Sequence, residues 1–329
     1  MNRAEYVTIR KSLMSDGLFR KSNTRAFVTT TTELIVMAAI IYGLWLVELF
    51  SPGYWILQAL LGLSLFRCFV LTHECGHGTL FGQKSLNTMF GTLFGCLCAV
   101  PYLCWRNAHF EHHKWVGVVD KDPTSVGLLS IKEYGPIMRN LLLVLWKLRI
   151  PLAALGGVVA AFWMYPFKQW RAGNTSNALY GAISTLITAA ALVGLVVLLG
   201  ESALAYIAPA FIFFYIFFEC INLTHHSGLY PYISDSHPDA VPLHEQDSHC
   251  RTALMPPWLS AITCYHFNLH TEHHLFPAVP WHNLPEVQKR LSDTTTGNIT
   301  NVEMFSFMNE IRSKDPFQAF VDSVPNRTV

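Results

Sequence analysis

Charged residues are scarce in this chain of 329 residues, and their scarcity narrows the classes of protein to which it can belong. Lys, Arg, Asp and Glu make up 14% of the sequence, against about 25% in an average soluble domain. The formal net charge is only +1 at pH 7, which excludes the strongly basic surface that recruits nucleic acid. Hydrophobic residues make up 51% of the chain, so the composition predicts an integral membrane protein.

Motifs for several common cofactor sites are also missing. The eight cysteines include no Cys-x-x-Cys pair, and we expect buried thiols in reducing surroundings rather than disulfides or a zinc site. The sequence contains no His-Pro-Gly-Gly haem motif and no Gly-x-Gly-x-x-Gly dinucleotide fingerprint. A redox reaction on this chain would therefore draw its electrons from a separate carrier.

Long apolar runs, in contrast, are present, and four of them can each cross about 30 Å of hydrocarbon as a helix. They cover residues 34–50, 54–71, 178–199 and 203–222. The turns that join them in pairs begin at Ser51 and Gly200 and carry no Lys or Arg, so we expect them on the non-cytoplasmic side. The sequence thus predicts an all-α, multi-pass fold with two transmembrane hairpins and both termini in the cytoplasm.

Two weaker apolar segments are not predicted to cross the bilayer. Residues 86–104 are interrupted by Gly91, Gly95 and Pro101, and we interpret them as an interfacial or re-entrant segment. Residues 141–167 are interrupted by basic residues and prolines, and we interpret them as helices that associate with the membrane without spanning it.

Histidines cluster in three short motifs, which we call the first, second and third boxes. The first, HECGH, contains two histidines, whereas HFEHH and HTEHH each place three at positions i, i+3 and i+4. On a helix these positions share one face, and neutral imidazole is the commonest metal ligand. Asn222 and His226 form a further pair on one helical face, after the fourth run. The candidate ligands are therefore His73, His77, His109, His112, His113, His226, His270, His273 and His274.

Nine imidazoles exceed the needs of one metal ion, since zinc sites take four ligands or fewer. Two ions with four or five nitrogens each would use all nine, and imidazole suits iron, copper, zinc and nickel alike. Each box also contains an acid, Glu74, Glu111 or Glu272, which either accepts a ring N–H from a ligating histidine or is solvated. Asp120 and Asp122, which follow the second box, are either similar partners or part of a turn.

The three boxes in this order, separated by hydrophobic hairpins, resemble the membrane-bound fatty acid desaturase family over roughly residues 34–291. The resemblance implies a non-haem di-iron centre that uses O₂ and two electrons to remove two hydrogens from adjacent methylenes of a fatty acyl chain linked to lipid, CoA or ACP. It also implies that all nine histidines ligate iron and that Asn222 acts through water, with His225 and His266 as alternative ligands. An external donor of the ferredoxin or cytochrome b5 type would supply the electrons.

Together these features predict one domain over residues 1–329. It would consist of a cytoplasmic N-terminal segment (1–30), a membrane and histidine-box core (31–291) and a cytoplasmic tail (292–329). Helices on the cytoplasmic side would form a cap that carries the di-metal site.

Other chemistry remains open at the level of the sequence. Hydroxylases, ketolases and acetylenases that act on lipids or carotenoids carry the same boxes. A non-enzymatic membrane metal-binding protein, such as a transporter, would place polar ligands at the bilayer midplane and on both faces, whereas these apolar runs are almost bare of them. The boxes identify neither the substrate-binding residues nor the position of a new double bond.

Overall fold

The fold is mainly helical. The computed structural model describes residues 1–235, 237, 239–294 and 299–325. Over these ranges the only strands, β1 (Thr252–Leu254) and β2 (Asn301–Glu303), pair in parallel, which confirms the predicted all-α class. The α-helices of the described ranges are α1 Arg3–Ser15, α2 Asn23–Leu46, α3 Pro52–His77, α4 Lys84–Leu97, α5 Tyr102–Trp115, α6 Gly127–Lys132, α7 Pro136–Lys147, α8 Leu152–Val158, α9 Tyr165–Arg171, α10 Thr175–Leu199, α11 Ala203–Tyr206, α12 Ala208–His226, α13 Pro257–Cys264, α14 His270–Leu275, α15 Leu284–Thr294 and α16 Met304–Ser313.

Four helical stretches are long and apolar enough to cross a membrane, which confirms the predicted multi-pass fold. They are α2, α3, α10 continued by α11, and α12. Ser22 caps the start of α2, and Ser51, followed by a proline, caps the start of α3, as expected for side chains that accept unpaired N–H groups at a helix start. Apolar side chains such as Leu186 and Val197 remain exposed on α10, which suits a surface that faces lipid.

The third span ends later than the sequence predicts. The expected turn, Gly200–Ser202, forms a single 3-10 turn, and the chain continues as α11 before α12 begins at Ala208. The side chains of Tyr54 and Gln58 both donate hydrogen bonds to the carbonyl oxygen of Ala205. These contacts hold α11 against α3, so the reversal of the chain falls after Tyr206.

The chain divides into two compact units, each assembled from separate stretches. The first unit contains Met1–Arg20, Asn107–Leu152 and Cys220–Val329. The second unit contains Lys21–Arg106 and Ala153–Glu219. The expected single domain with its three segments stays a prediction.

A sharp bend separates α4 from α5. The two helices form an angle of 103°, and close packing of the second unit explains the bend. A Cβ atom on Gly91 would lie 2.4 Å from the ring of Tyr102, and one on Gly95 would lie 2.6 Å from the carbonyl oxygen of Val100. Both glycines therefore let the chain fold back closely on α4. This geometry fits either a broken span or a re-entrant loop, so the interfacial or re-entrant placement of residues 86–104 stays a prediction.

The core of the first unit joins the N-terminal helix to the last third of the chain. Ile9 and Leu13 of α1 pack with Val287 and Leu291 of α15. The hydroxyl of Tyr6 donates a hydrogen bond to the carbonyl oxygen of Leu275, directly after the third box. The N-terminal segment therefore supports the region of the third box.

Candidate metal centre

The second box lies at the C-terminal end of α5. His109, His112 and His113 are all buried there. Nδ1 of His112 lies 2.8 Å from Oδ2 of Asp122, which is fully buried. Thr124 donates to the other oxygen of this carboxylate from both its backbone N–H and its hydroxyl, each at 2.8 Å. The turn after α5 thus holds Asp122 as an acceptor for the ring N–H of His112.

The third box forms the short helix α14, in which all six residues are buried. The chain enters it through Tyr265 and His266, whose positive φ angles of 47° and 59° place both in the left-handed region. Such angles are uncommon for residues other than glycine. The tight entry turns His270, His273 and His274 into the interior of the first unit.

The end of α12 supplies a further buried histidine. Nδ1 of His226 donates to the backbone carbonyl oxygen of His249 at 2.9 Å, and its Nε2 lies 2.8 Å from Nε2 of His270. The neighbouring ring of His225 is also buried, but it stacks flat on His270 at a centroid distance of 3.8 Å. The structure therefore directs His226, and not His225, edge-on toward the third box.

Four histidines of the first unit converge on one point. His112, His226, His270 and His274 each offer a ring nitrogen, and these four nitrogens all lie within 4.8 Å of one another. Nε2 of His270 is 3.1 Å from Nε2 of His274. Nitrogens that bind one ion at about 2.1 Å and at right angles are roughly 3 Å apart, so the spacing suits a shared metal ion.

The protonation state of these histidine rings also suits the binding of a cation. His226 and His274 use their Nδ1–H groups to donate outward, to the His249 carbonyl and to Oε1 of Gln246, so both Nε2 atoms direct lone pairs inward. Burial, and secondarily the neighbouring histidines, hold the pKa values of His270 and His274 well below the ordinary value of 6.5. The rings of His270 and His274 are therefore neutral, as metal ligation requires.

Three other box histidines form a second cluster in the first unit. Nε2 of His113 lies 3.1 Å from Nε2 of His109 and 3.0 Å from Nε2 of His273. All three side chains are buried. They present ring nitrogens at the same spacing as the four-histidine cluster, so they can contribute to a further metal site.

The first box lies at the end of α3, in the second unit. The ring centroids of His73 and His77 are 4.7 Å apart. Oε2 of Glu74 accepts the hydroxyl of Thr79 at 2.6 Å, and Oε1 lies 3.4 Å from Nδ1 of His73. The structure thus places the acid of this box beside one of its histidines. Metal binding by His73 and His77 stays a prediction.

The remaining acids contact other groups. Asp120 accepts hydrogen bonds from the backbone N–H and hydroxyl of Ser234, and Glu111 is exposed and accepts the indole N–H of Trp115. Glu272 is buried and accepts the hydroxyl of Thr252. Burial raises the pKa of Glu272 to about 7. Of the five acids named from the sequence, Asp122 and Glu74 are therefore the ones beside a histidine ring nitrogen.

Two further candidates are only partly buried. Nδ1 of His266 forms a hydrogen bond with the hydroxyl of Ser260 at 2.7 Å, and the residue is only half-buried. Asn222 is also half-buried, one helical turn before His226. Its expected action through water stays a prediction.

Sequence reasoning missed two groups that hold the rings from behind, the side chain of Gln246 and the backbone carbonyl of His249. Gln246 lies in the 3-10 turn Leu243–Ser248, within a long polar loop that contains many other polar side chains. No spacing rule singles it out, and a backbone carbonyl has no sequence signal at all. Their position next to the third box becomes evident only in the folded chain.

A family model described as fatty acid desaturase matches residues 49–301. The chain belongs to the fatty acid desaturase family. This confirms the resemblance that the three boxes indicate, and the family consists of enzymes that act on fatty acyl chains.

Three of the relatives of this desaturase-family chain are plant desaturases. An omega-3 fatty acid desaturase of the endoplasmic reticulum from Vigna radiata var. radiata is 26% identical over 82% of this chain and 73% of its own. An acyl-lipid omega-3 desaturase (cytochrome b5) of the endoplasmic reticulum from Arabidopsis thaliana is 26% identical over 82% of this chain and 71% of its own. A chloroplastic temperature-sensitive sn-2 acyl-lipid omega-3 desaturase (ferredoxin) from the same plant is 28% identical over 75% of this chain and 59% of its own. The chain thus spans between 59% and 73% of the length of these relatives.

Proposed function

We propose that this chain introduces a double bond into a fatty acyl chain, using O₂ and a histidine-ligated pair of iron ions. The observation that carries the proposal is the buried cluster of His112, His226, His270 and His274, whose nitrogens approach one another within 4.8 Å. Membership of the desaturase family supplies the reaction class. Bound iron would supply the activation of O₂ that removal of hydrogen from an unactivated methylene requires.

We propose the complete ligand set on the box pattern of the family. Imidazole nitrogens fit iron, although they do not select it over copper, zinc or nickel. The set consists of His73, His77, His109, His112, His113, His226, His270, His273 and His274, with Asn222 acting through water.

The residues of the first unit have two tasks in this proposal. Outward acceptors such as Asp122 hold the rings in one tautomer and one orientation, as acceptors behind metal-bound histidines do. Burial of the box histidines keeps bulk water from the reacting groups, which limits side reactions.

The electron donor is proposed to be a separate one-electron carrier. One relative is named with cytochrome b5 and another with ferredoxin, so either type is a reasonable candidate for this chain. We further propose that the boxes and both termini lie in the cytoplasm, where such carriers have access to them.

The test combines product analysis with metal analysis. The chain is expressed in cells that lack the activity, and their fatty acids are compared by mass spectrometry with those of cells expressing a His112→Ala variant. A product lighter by two hydrogens, formed only with the wild-type chain, is expected, together with two iron ions per purified chain. A product with an added oxygen or a triple bond would favour a hydroxylase or an acetylenase instead.

A further inference from the structure

Gln246 is a buried amide that contacts two of the box segments at once. Its side chain is 1% exposed. Its Nε2 group donates to the backbone carbonyl oxygen of His113 at 2.6 Å and to that of Val241 at 3.0 Å. Because only the NH₂ end of an amide can donate to two carbonyl oxygens, these contacts fix which way the amide points.

The oxygen end of the same amide faces the third box. Oε1 of Gln246 lies 2.9 Å from Nδ1 of His274. An amide oxygen only accepts hydrogen bonds, so Nδ1 must carry the proton of this ring. The lone pair of His274 is then on Nε2, which lies 3.1 Å from Nε2 of His270 inside the four-histidine cluster.

The turn that carries Gln246 is itself held in place. The backbone N–H of His249 and the thiol of Cys250 both donate to the backbone carbonyl oxygen of Gln246, at 3.0 and 2.9 Å. The backbone of this residue therefore has its own hydrogen bonds. Its side chain remains available for the contacts between the second and third boxes.

We propose that Gln246 is a positioning residue of the metal centre. Its amide sets the tautomer and the ring plane of His274 and ties the third box to the backbone of the second box at His113. The inference rests on the proposed function, because it assumes that His274 binds metal. It adds a neutral side chain from outside all three boxes to the groups that hold the ligands in position.

The test measures metal affinity rather than turnover. Full-length Gln246→Met and Gln246→Glu variants are purified beside the wild-type chain and a Gln318→Met control, whose glutamine is exposed. Binding of Fe²⁺ and of Co²⁺ is measured by competition with a chelator, and size-exclusion elution reports folding. Removal of an acceptor behind a metal-bound histidine typically costs 10–100-fold in affinity. We expect a loss of about that size in Gln246→Met, a smaller loss in Gln246→Glu, which keeps an acceptor oxygen, and no loss in the control.

A double-mutant cycle separates positioning from general support of the fold. If Gln246 acts through His274, adding Gln246→Met to a His274→Ala chain should lower metal affinity little further, because coupled residues are not additive. Full additivity in the double variant would overturn the proposal. So would wild-type metal affinity in Gln246→Met.

A measurement on the wild-type chain keeps the proposal falsifiable if Gln246→Met fails to fold. With ¹⁵N-labelled histidine, the metal-free wild type should show one imidazole protonated at Nδ1 whose signals vanish in His274→Ala. Protonation of that ring at Nε2 would overturn the proposal. If instead the wild-type chain binds no metal or forms no double bond, the proposed function fails, while the tautomer result still reports on Gln246 itself.

Discussion

At the scale of single residues, the group behind each histidine ring determines what the ring presents to the interior. The three acceptors differ in chemistry: His112 has the carboxylate of Asp122, His274 the amide of Gln246, and His226 a backbone carbonyl. A carboxylate is the strongest of these acceptors, and a ring that donates to a carboxylate is the most basic ligand of the three. Asp122 is therefore the acceptor whose charge should matter most for metal binding.

Asp122→Asn should weaken metal binding by about 10–100-fold while leaving the fold intact, because the amide keeps the shape of the carboxylate but not its charge. The loss is measured as iron per chain and by competition with a chelator. Asp120→Asn is the matched control, since Asp120 lies in the same loop but accepts its hydrogen bond from the backbone N–H of Ser234. Equal losses in the two variants would show that the loop, and not the charge behind His112, is responsible.

His113→Ala or His274→Ala should abolish double-bond formation and reduce bound iron, because each removes a ring nitrogen from a buried cluster. Insertion into the membrane should be unchanged, since neither residue lies in one of the four long apolar helices. Fatty acid analysis and metal analysis of membranes check both effects. His237→Ala, at a loop histidine outside the boxes, is the control, and full activity in either box variant would remove that box from the mechanism.

Sequence reasoning could locate the boxes but not choose between adjacent side chains. His225 and His226 differ by one position, and a helical pattern alone does not say which ring meets the third box. The choice depends on the packing of Phe267 and His270 against His225. The open choice for Asp120 and Asp122, between a partner of a histidine and part of a turn, has the same origin, because the fold of the loop after α5 decides which carboxylate reaches His112.

At the scale of elements, close helix contacts in the second unit depend on small residues. A Cβ atom on Gly62 of α3 would lie 2.4 Å from Cβ of Phe213 and 2.7 Å from the carbonyl oxygen of Ala210, both in α12. Real Cβ atoms do not approach other atoms so closely, so any larger residue must push the two helices apart.

Gly62→Ala should therefore destabilise the protein by about 1–3 kcal/mol, the usual cost of overpacking. Thermal unfolding in detergent, followed by helical circular dichroism, measures the change. Gly194→Ala is the matched control, because it is also a helical glycine but a Cβ there meets nothing within 4 Å. A melting temperature that falls equally in both variants would contradict the packing argument.

The sequence predicts the spans well because each span needs only a long apolar run. The residue at which a span ends depends on contacts with other helices. The sequence predicts that residues 203–206 begin the fourth span. In the structure they continue the third span, because Tyr54 and Gln58 both donate hydrogen bonds to the carbonyl oxygen of Ala205. The bend before α5 was foreseeable from Gly91 and Gly95, although its angle was not. A residue-by-residue pattern carries no information about contacts between distant segments.

At the scale of the whole molecule, the buried titratable groups predict sensitivity to acid. The pKa values of His270 and His274 are lowered, so the unfolded chain takes up protons below about pH 6.5 that the folded chain does not. The pKa of Glu272 is raised from 4.5 to about 7, which has the opposite effect between these two values. Two histidines oppose one acid, so the stability of the metal-free protein should fall as pH is lowered from 6.5 to 5.

Melting temperatures of the metal-free protein between pH 5 and pH 8 test this balance. Glu272→Gln removes the opposing group, so its stability should fall more steeply with acid than that of the wild type. A wild-type melting temperature that rises on acidification to pH 5 would contradict the prediction.

Two hairpins predict that both termini share one side of the membrane. Single cysteines introduced at Ser202 and at Ser248, in a background without other accessible thiols, should be labelled by an impermeant reagent from opposite sides. Ser248 is exposed and lies in the loop beside the third box, whereas Ser202 is exposed in the 3-10 turn near the end of the third span. Labelling of both from the same side would contradict the predicted topology.

The inward lone pairs of the four-histidine cluster have a consequence for how the protein acquires its metal. A pocket made of neutral imidazoles ranks divalent ions by the Irving–Williams series, in which copper and zinc bind more tightly than ferrous iron. Correct loading must then depend on which ions the cell makes available while the chain folds. Preparations from copper- or zinc-rich media are expected to be mis-metallated and inactive, and exchange into ferrous iron under a chelator should restore them.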